Sequence, residues 1–229
     1  MVQKVDFDNY ANEYEKTLEE DLKFFGEDNS YFAEYKIDIV KKTIGFDPGS
    51  ILDFGCGIGR NIKEFKKFFS ESKISGCDIS TKSLEIAKGE NPDVNFFSLN
   101  SESVNTYINS FDLIFVSCVF HHIEPELRKL SIETINSLLR PGGVIYIFEH
   151  NPYNPITQKI VRDCKWDADA ILLTMKESVS LIKSANFKVD RKKYTLYFPA
   201  ALKFLRPVEG LLSYIPLGGQ YFVKAVKTI

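Results

Sequence analysis

One stretch constrains this chain more than any other: Ile51-Leu52-Asp53-Phe54-Gly55-Cys56-Gly57-Ile58-Gly59-Arg60. An apolar run feeds three alternate glycines, and the amphipathic segment Asn61 to Phe69 follows. The pattern predicts a buried strand, a tight turn and a helix, with glycine where φ is positive or where a ligand meets backbone. A dinucleotide fingerprint would place another glycine at position 60, where this chain has arginine. Asp53, two residues before the first glycine, would repel a pyrophosphate and suits an ammonium group. The loop therefore reads as a seat for a zwitterionic nucleoside without phosphates. A second acid, Asp78, closes the next predicted strand nineteen residues beyond Gly59. A carboxylate there can accept hydrogen bonds from ribose hydroxyls.

The acid, the glycine triplet and the spaced second acid together resemble the class I S-adenosylmethionine-dependent methyltransferases. The resemblance runs from about Gly49 to Phe148 and more loosely on either side. It implies S-adenosyl-L-methionine as cofactor and S-adenosyl-L-homocysteine as product. It also implies an α/β, Rossmann-like fold: a seven-stranded, mostly parallel sheet with helices on both faces and an antiparallel last strand. The cofactor contacts it implies are Asp53, Gly55, Cys56, Gly57 and Gly59 in the loop, then Asp78 and Ile79 after the second strand. Asn100 and Ser101 follow the third strand, with Asn100 standing where the family often has an acid facing the adenine amino group. Ser117 and Cys118 end the fourth strand, and Tyr14 comes from an N-terminal cap.

The alternation of elements supports a parallel sheet independently. Strands are predicted at Ser50–Phe54, Lys73–Asp78, Val94–Leu99, Phe111–Cys118 and Gly143–Glu149. Helices are predicted at Asn61–Phe69, Ser83–Lys88 and Pro125–Leu139, with a short turn near Ser101–Tyr107. Before them, Phe7–Phe25 and Ser30–Thr43 carry helical spacing, the first as a lid or a plain cover. Asn151-Pro152-Tyr153-Asn154-Pro155 reads as a rigid loop, because proline removes donors and asparagine favours turns. A helix or lid over Gln158–Thr174, a helix at Glu177–Ala185 and strands at Phe187–Phe198 and Gln220–Thr228 complete the chain. The expected organisation is a single domain: an N-terminal helical cap (1–47), a cofactor-binding core (48–150), and a lid and acceptor segment with closing strands (151–229).

The 229 residues are enough to bury a sizeable core, and the formal net charge of −2 offers no electrostatic case for nucleic acid or an anionic membrane. The longest apolar run, Phe111 to Phe120, contains Asp112 and is too short to span a bilayer, and Met1–Glu20 has no apolar leader. Cys56, Cys77, Cys118 and Cys164 show no paired spacing. Together these point to a cytoplasmic protein with reduced thiols.

All three histidines fall at predicted strand ends: His121 and His122 after the fourth, His150 at the fifth. Imidazole near neutral pH can take a hydroxyl proton, so His122, His150 and His121 are the candidate catalytic residues, one of His122 or His150 being the expected base. No metal is expected, on the ground that adjacent histidines diverge from one backbone. Glu149, Asn151, Tyr153 and Trp166 are the candidate contacts to a small-molecule acceptor. The reading is methylation of that acceptor at oxygen. Two alternatives stand beside it, a non-catalytic nucleoside-binding module of the same fold and a nicotinamide-dependent oxidoreductase. The Glu149-to-Pro155 run and the proline-rich tail also resemble bacterial methyltransferases of surface-sugar or secondary-metabolite pathways.

Overall fold

The computed structural model describes Asp8 and residues 29–228. In chain order the elements are α1 (Asn29–Thr43), β1 (Ser50–Phe54), α2 (Ile62–Phe68), β2 (Lys73–Asp78), α3 (Thr81–Glu90), β3 (Asn95–Ser98) and α4 (Ser101–Thr106). Then come β4 (Phe111–Ser117), a 3₁₀ turn (Phe120–His122), α5 (Pro125–Leu138), β5 (Leu139–His150), α6 (Pro155–Asp163) and a second 3₁₀ turn (Lys165–Asp167). The chain goes on through α7 (Met175–Ser184), β6 (Phe187–Thr195), a 3₁₀ run (Ala200–Val208), α8 (Glu209–Leu212) and β7 (Gln220–Lys227).

The seven strands form one sheet in the order β3-β2-β1-β4-β5-β7-β6. The first five run parallel; β7 lies antiparallel between β5 and β6. This is the expected Rossmann-like sheet. Strand periodicity divides the core. Leu52, Phe54, Ile114, Ile145 and Ile147 face α5 and α7 through Ile132, Ile135 and Ile182. Ile51, Leu113, Phe115 and Tyr146 face α1, α2 and α3 through Ile37, Val40, Ile62, Phe65 and Leu84. Central parallel strands are thus apolar on both sides, each large side chain contributing about 1.5–3 kcal/mol on burial.

Local chemistry sets the helix starts. Ser80 Oγ accepts from Ser83 N at 3.1 Å and caps α3. Thr174 and Glu177 form a reciprocal capping box at α7.

Three boundaries differ from the sequence reading. Pro155 is not loop but the first residue of α6, with Asn154 as its cap; proline at that position loses no helical donor. β5 begins at Leu139 and absorbs the Pro-Gly-Gly segment as an irregularity between the Phe111–Leu139 and Leu113–Val144 pairs. The expected helix across Gln158–Thr174 stops at Asp163, giving way to the turn that buries Trp166. The Phe7–Phe25 segment, with Tyr14, lies outside the described residues apart from Asp8. Among the described residues no helix is long and apolar enough to cross a membrane.

Candidate active site

The carboxyl ends of β1, β2, β4 and β5 meet at one edge of the sheet, where open α/β folds collect ligands. At the β1 end, Gly55, Gly57 and Gly59 all have positive φ. A side chain at Gly55 would strike Val119, whereas a Cβ on Gly57 would meet nothing within 4 Å. The loop is therefore tight underneath and open above. Gly55 N and Cys56 N both donate to Cys77 O, and Gly57 N donates to Asp78 Oδ2 at 2.8 Å. Asp78 also accepts from Ser80 N at 2.9 Å, which fixes its carboxylate beside the loop. Asp8 accepts from Ser80 Oγ at 2.6 Å and from Lys82 N at 3.2 Å, so this one described residue of the N-terminal segment lies next to Asp78.

Asp53 is 1% exposed and accepts from Asn61 Nδ2 at 3.1 Å. Burial pushes its carboxyl up to about 7. The Lys36 charge acts against that shift. Lys36, 7% exposed on α1, donates to Ser117 Oγ at 2.7 Å and lies 3.6 Å from Cys118 Sγ. Sequence reasoning missed it. The available signal was a lysine four residues before Val40, on the face that α1 buries. Cys118 sits at positive φ just past β4. Burial would raise its thiol, but Lys36 and His150 together draw it down to about 6.

The histidines do converge. His121 and His122 ring centres are 4.1 Å apart and His121 and His150 are 5.0 Å apart. His121, 1% exposed, holds Glu149 Oε2 through Nδ1 at 2.6 Å. Glu149 Oε1 accepts from Val119 N and Phe120 N at 3.0 and 2.7 Å. Burial works against charge on His121, yet Glu149 keeps it well above the ordinary imidazole range. Burial and the neighbouring His121 lower His122 to about 4. Burial opposes charge on His150 also, but the Cys118 thiol raises it. Asp167, a residue outside the expected site set, closes the cluster at 3.3 Å from His121 Nε2 and 3.4 Å from His122 Nε2. Burial would raise its carboxyl, but the imidazoles draw it down to about 2.

Arg128 braces this rim from below. Its Nε donates to Phe120 O and Ile123 O at 3.1 and 2.9 Å and its guanidinium reaches Ile171 O at 2.6 Å.

The remaining candidate residues are distributed as follows. Ser117 and Cys118 join the site beside Lys36. Ile79 is 70% exposed next to Asp78. Asn100 is exposed and caps α4 through its side-chain oxygen, and Ser101 is the exposed first residue of that helix. Asn151 is wholly buried and its amide grips Pro216 O and Gly218 O at 3.1 and 2.7 Å, a bracket for the chain's return into β7. Trp166 is buried beneath the turn that carries Asp167, and Tyr153 is 58% exposed.

Comparison with known proteins points to methyltransferases. A methyltransferase-domain family model matches residues 51–143, which span the loop and both acids. Over those residues the chain is similar to the methyltransferase-domain family. Among relatives of this chain, malonyl-[acyl-carrier protein] O-methyltransferase 1 of Ilyobacter polytropus is 28% identical over 72% of the chain and 63% of that protein. A tRNA N(3)-methylcytidine methyltransferase of Drosophila melanogaster is 27% identical over 58% of the chain and 45% of its own length. The chain thus spans roughly half to under two thirds of these curated relatives. A solved S-adenosylmethionine-dependent methyltransferase from Thermotoga maritima shares the fold at TM-score 0.67 and 18% identity, covering 97% of this chain and 98% of the other. One from Archaeoglobus fulgidus does so at 0.64 and 17%, covering 85% and 94%.

The residues present fit the family's cofactor. Open space stands over Gly57, and a fixed acid at Asp78 retains lone pairs for ribose hydroxyls. The buried side chains of Asp53 and Lys36 would stand toward the two charged groups of its amino-acid end.

Proposed function

We propose that this protein is a methyltransferase that transfers the S-adenosylmethionine methyl group to an oxygen of a small-molecule acceptor. The cluster of His121, His122 and His150 beside the cofactor loop carries this reading. S-adenosylmethionine supplies an electrophilic methyl on its sulfonium, and displacement there depends mainly on holding the acceptor in line. Asp53 binds the cofactor's ammonium and Lys36 its carboxylate, while Asp78 takes the ribose hydroxyls. That leaves the histidine rim as the acceptor's side. One of His122 or His150 accepts the acceptor hydroxyl's hydrogen bond and takes its proton as the carbon–oxygen bond forms. His121 is shut in behind them and positions the rim. The malonyl-carrier-protein relative supports oxygen as the methylated atom, and a formal net charge of −2 favours a small acceptor over a polyanion.

Calorimetric titration with S-adenosylhomocysteine tests the cofactor half, with NADH as control. The expected result is micromolar-class binding of the first and none of the second. Labelled S-adenosylmethionine offered with fractionated small metabolites tests the acceptor half. Label appearing only in protein or RNA would overturn it.

A further inference from the structure

We propose that His121, His150 and Asp167 form a site for one divalent cation of the zinc class, placed to hold the acceptor's oxygen. The site goes beyond the methyltransferase reading and rests on it only for the cation's role. One nitrogen or oxygen from each of the three residues lies within 4.8 Å of the others. The expectation that adjacent histidines diverge fails here, because the 3₁₀ turn Phe120–His122 brings both rings onto one side. Glu149, anchored by two backbone N–H groups, accepts a hydrogen bond from His121 Nδ1–H at 2.6 Å and leaves Nε2 facing Asp167 Oδ1. A carboxylate behind a histidine in this way is the arrangement that orients metal-binding imidazoles.

The spacing agrees. Charged hydrogen bonds close to about 2.7–2.9 Å, but Asp167 Oδ1 stands 3.3 Å from His121 Nε2, and the ligand atoms of all three residues lie within 4.8 Å of one another. Ligands on a tetrahedral ion with bonds of about 2.0–2.1 Å lie about 3.3 Å apart. Two imidazoles and one carboxylate suit zinc better than magnesium or calcium. The carboxylate of Asp167 and the ring of His122 are 12% and 17% exposed, so a cation can enter from the rim while His121 stays sealed. Three protein ligands leave a fourth position for the acceptor's oxygen, as in catalytic zinc sites.

The full chain, stripped of metal, is titrated with zinc chloride by calorimetry and with cobalt chloride by visible absorption. One equivalent should bind, with cobalt giving the intense bands of low coordination. Glu149→Gln should weaken binding by about 10–100-fold. The double variant His150→Ala, Asp167→Asn should abolish it, with far-ultraviolet circular dichroism checking its fold. No saturable binding, or one equivalent surviving in the double variant, overturns the site. S-adenosylhomocysteine affinity is read on the same samples. If that ligand binds and zinc does not, the cation site falls alone; if zinc binds and the ligand does not, the methyltransferase reading falls alone.

Discussion

Asp78 Oδ2 accepts the Gly57 amide at 2.8 Å, so the acid of the second strand also holds the glycine loop of the first. Asp78→Ala should therefore weaken S-adenosylhomocysteine by about 1.5–3 kcal/mol, the range for a lost charged hydrogen bond. Calorimetry measures the affinity, and a thermal melt separates it from any loss of fold. Unchanged affinity would remove Asp78 from the cofactor site.

Asp53 gives the binding a pH signature. Burial raises its folded pKa to about 7, above the ordinary carboxyl range. A group raised in this way stabilises the fold at low pH and loses that contribution as pH rises through about 7. The bound ammonium favours the ionised acid, so affinity should strengthen from about pH 5.5 to about pH 8, by on the order of 1–3 kcal/mol. Asp53→Asn should flatten this profile and make the free protein more stable at the upper end. A wild-type profile as flat as the variant's would refute it.

Gly55 combines a φ of 74° with a Cβ position 2.5 Å from Val119 Cγ2. Gly55→Ala should cost about 1–2 kcal/mol in left-handed strain and about 1–3 kcal/mol in overpacking. Adding Val119→Ala should recover only the second part, which a double-mutant cycle in urea resolves.

Arg128 offers a test of the rim's rigidity. Arg128→Met removes the guanidinium donors from the Phe120, Ile123 and Ile171 carbonyls, of which Phe120 O keeps the Ile123 amide. The expected loss is about 2–4 kcal/mol of stability, with hydrogen exchange quickening around residues 120–123 before the sheet is affected.

Catalysis should separate from cofactor binding at the histidines. His150→Ala or His122→Ala is expected to lower turnover by about 10²–10⁴ with little change in S-adenosylhomocysteine affinity. If every histidine variant keeps near-normal turnover, placement of the acceptor does all the work.

What the sequence disclosed follows from how far its signals reach. The sheet was legible because β1 and β4 each carry a contiguous apolar run ended by punctuation, and the glycine loop because its spacing is local. Lys36 and Asp167 were not, since each joins the site across long stretches of chain: Lys36 meets Ser117, and Asp167 meets His121. Pro155 was misassigned because a proline that breaks a helix interior also begins one. Asn151 and Glu149 were noticed as rim residues from their position at the end of β5. Their burial, which commits Asn151 to the chain's return and Glu149 to His121, depends on partners no local pattern specifies.

The place of β7 between β5 and β6 has a consequence for how the molecule is made. A nascent chain released as far as Thr195 cannot join β6 to the sheet, because the strand that bridges the two has yet to emerge. Until it does, the β5 edge bearing Glu149 and His150 is an open template for mispairing. Pairing of Tyr221 with Glu149 and of Gln220 with His150 then closes that edge beside the acceptor rim. Such long-range closure is slow relative to helix formation. The edge left open during synthesis is thus the one that bears the proposed acceptor rim.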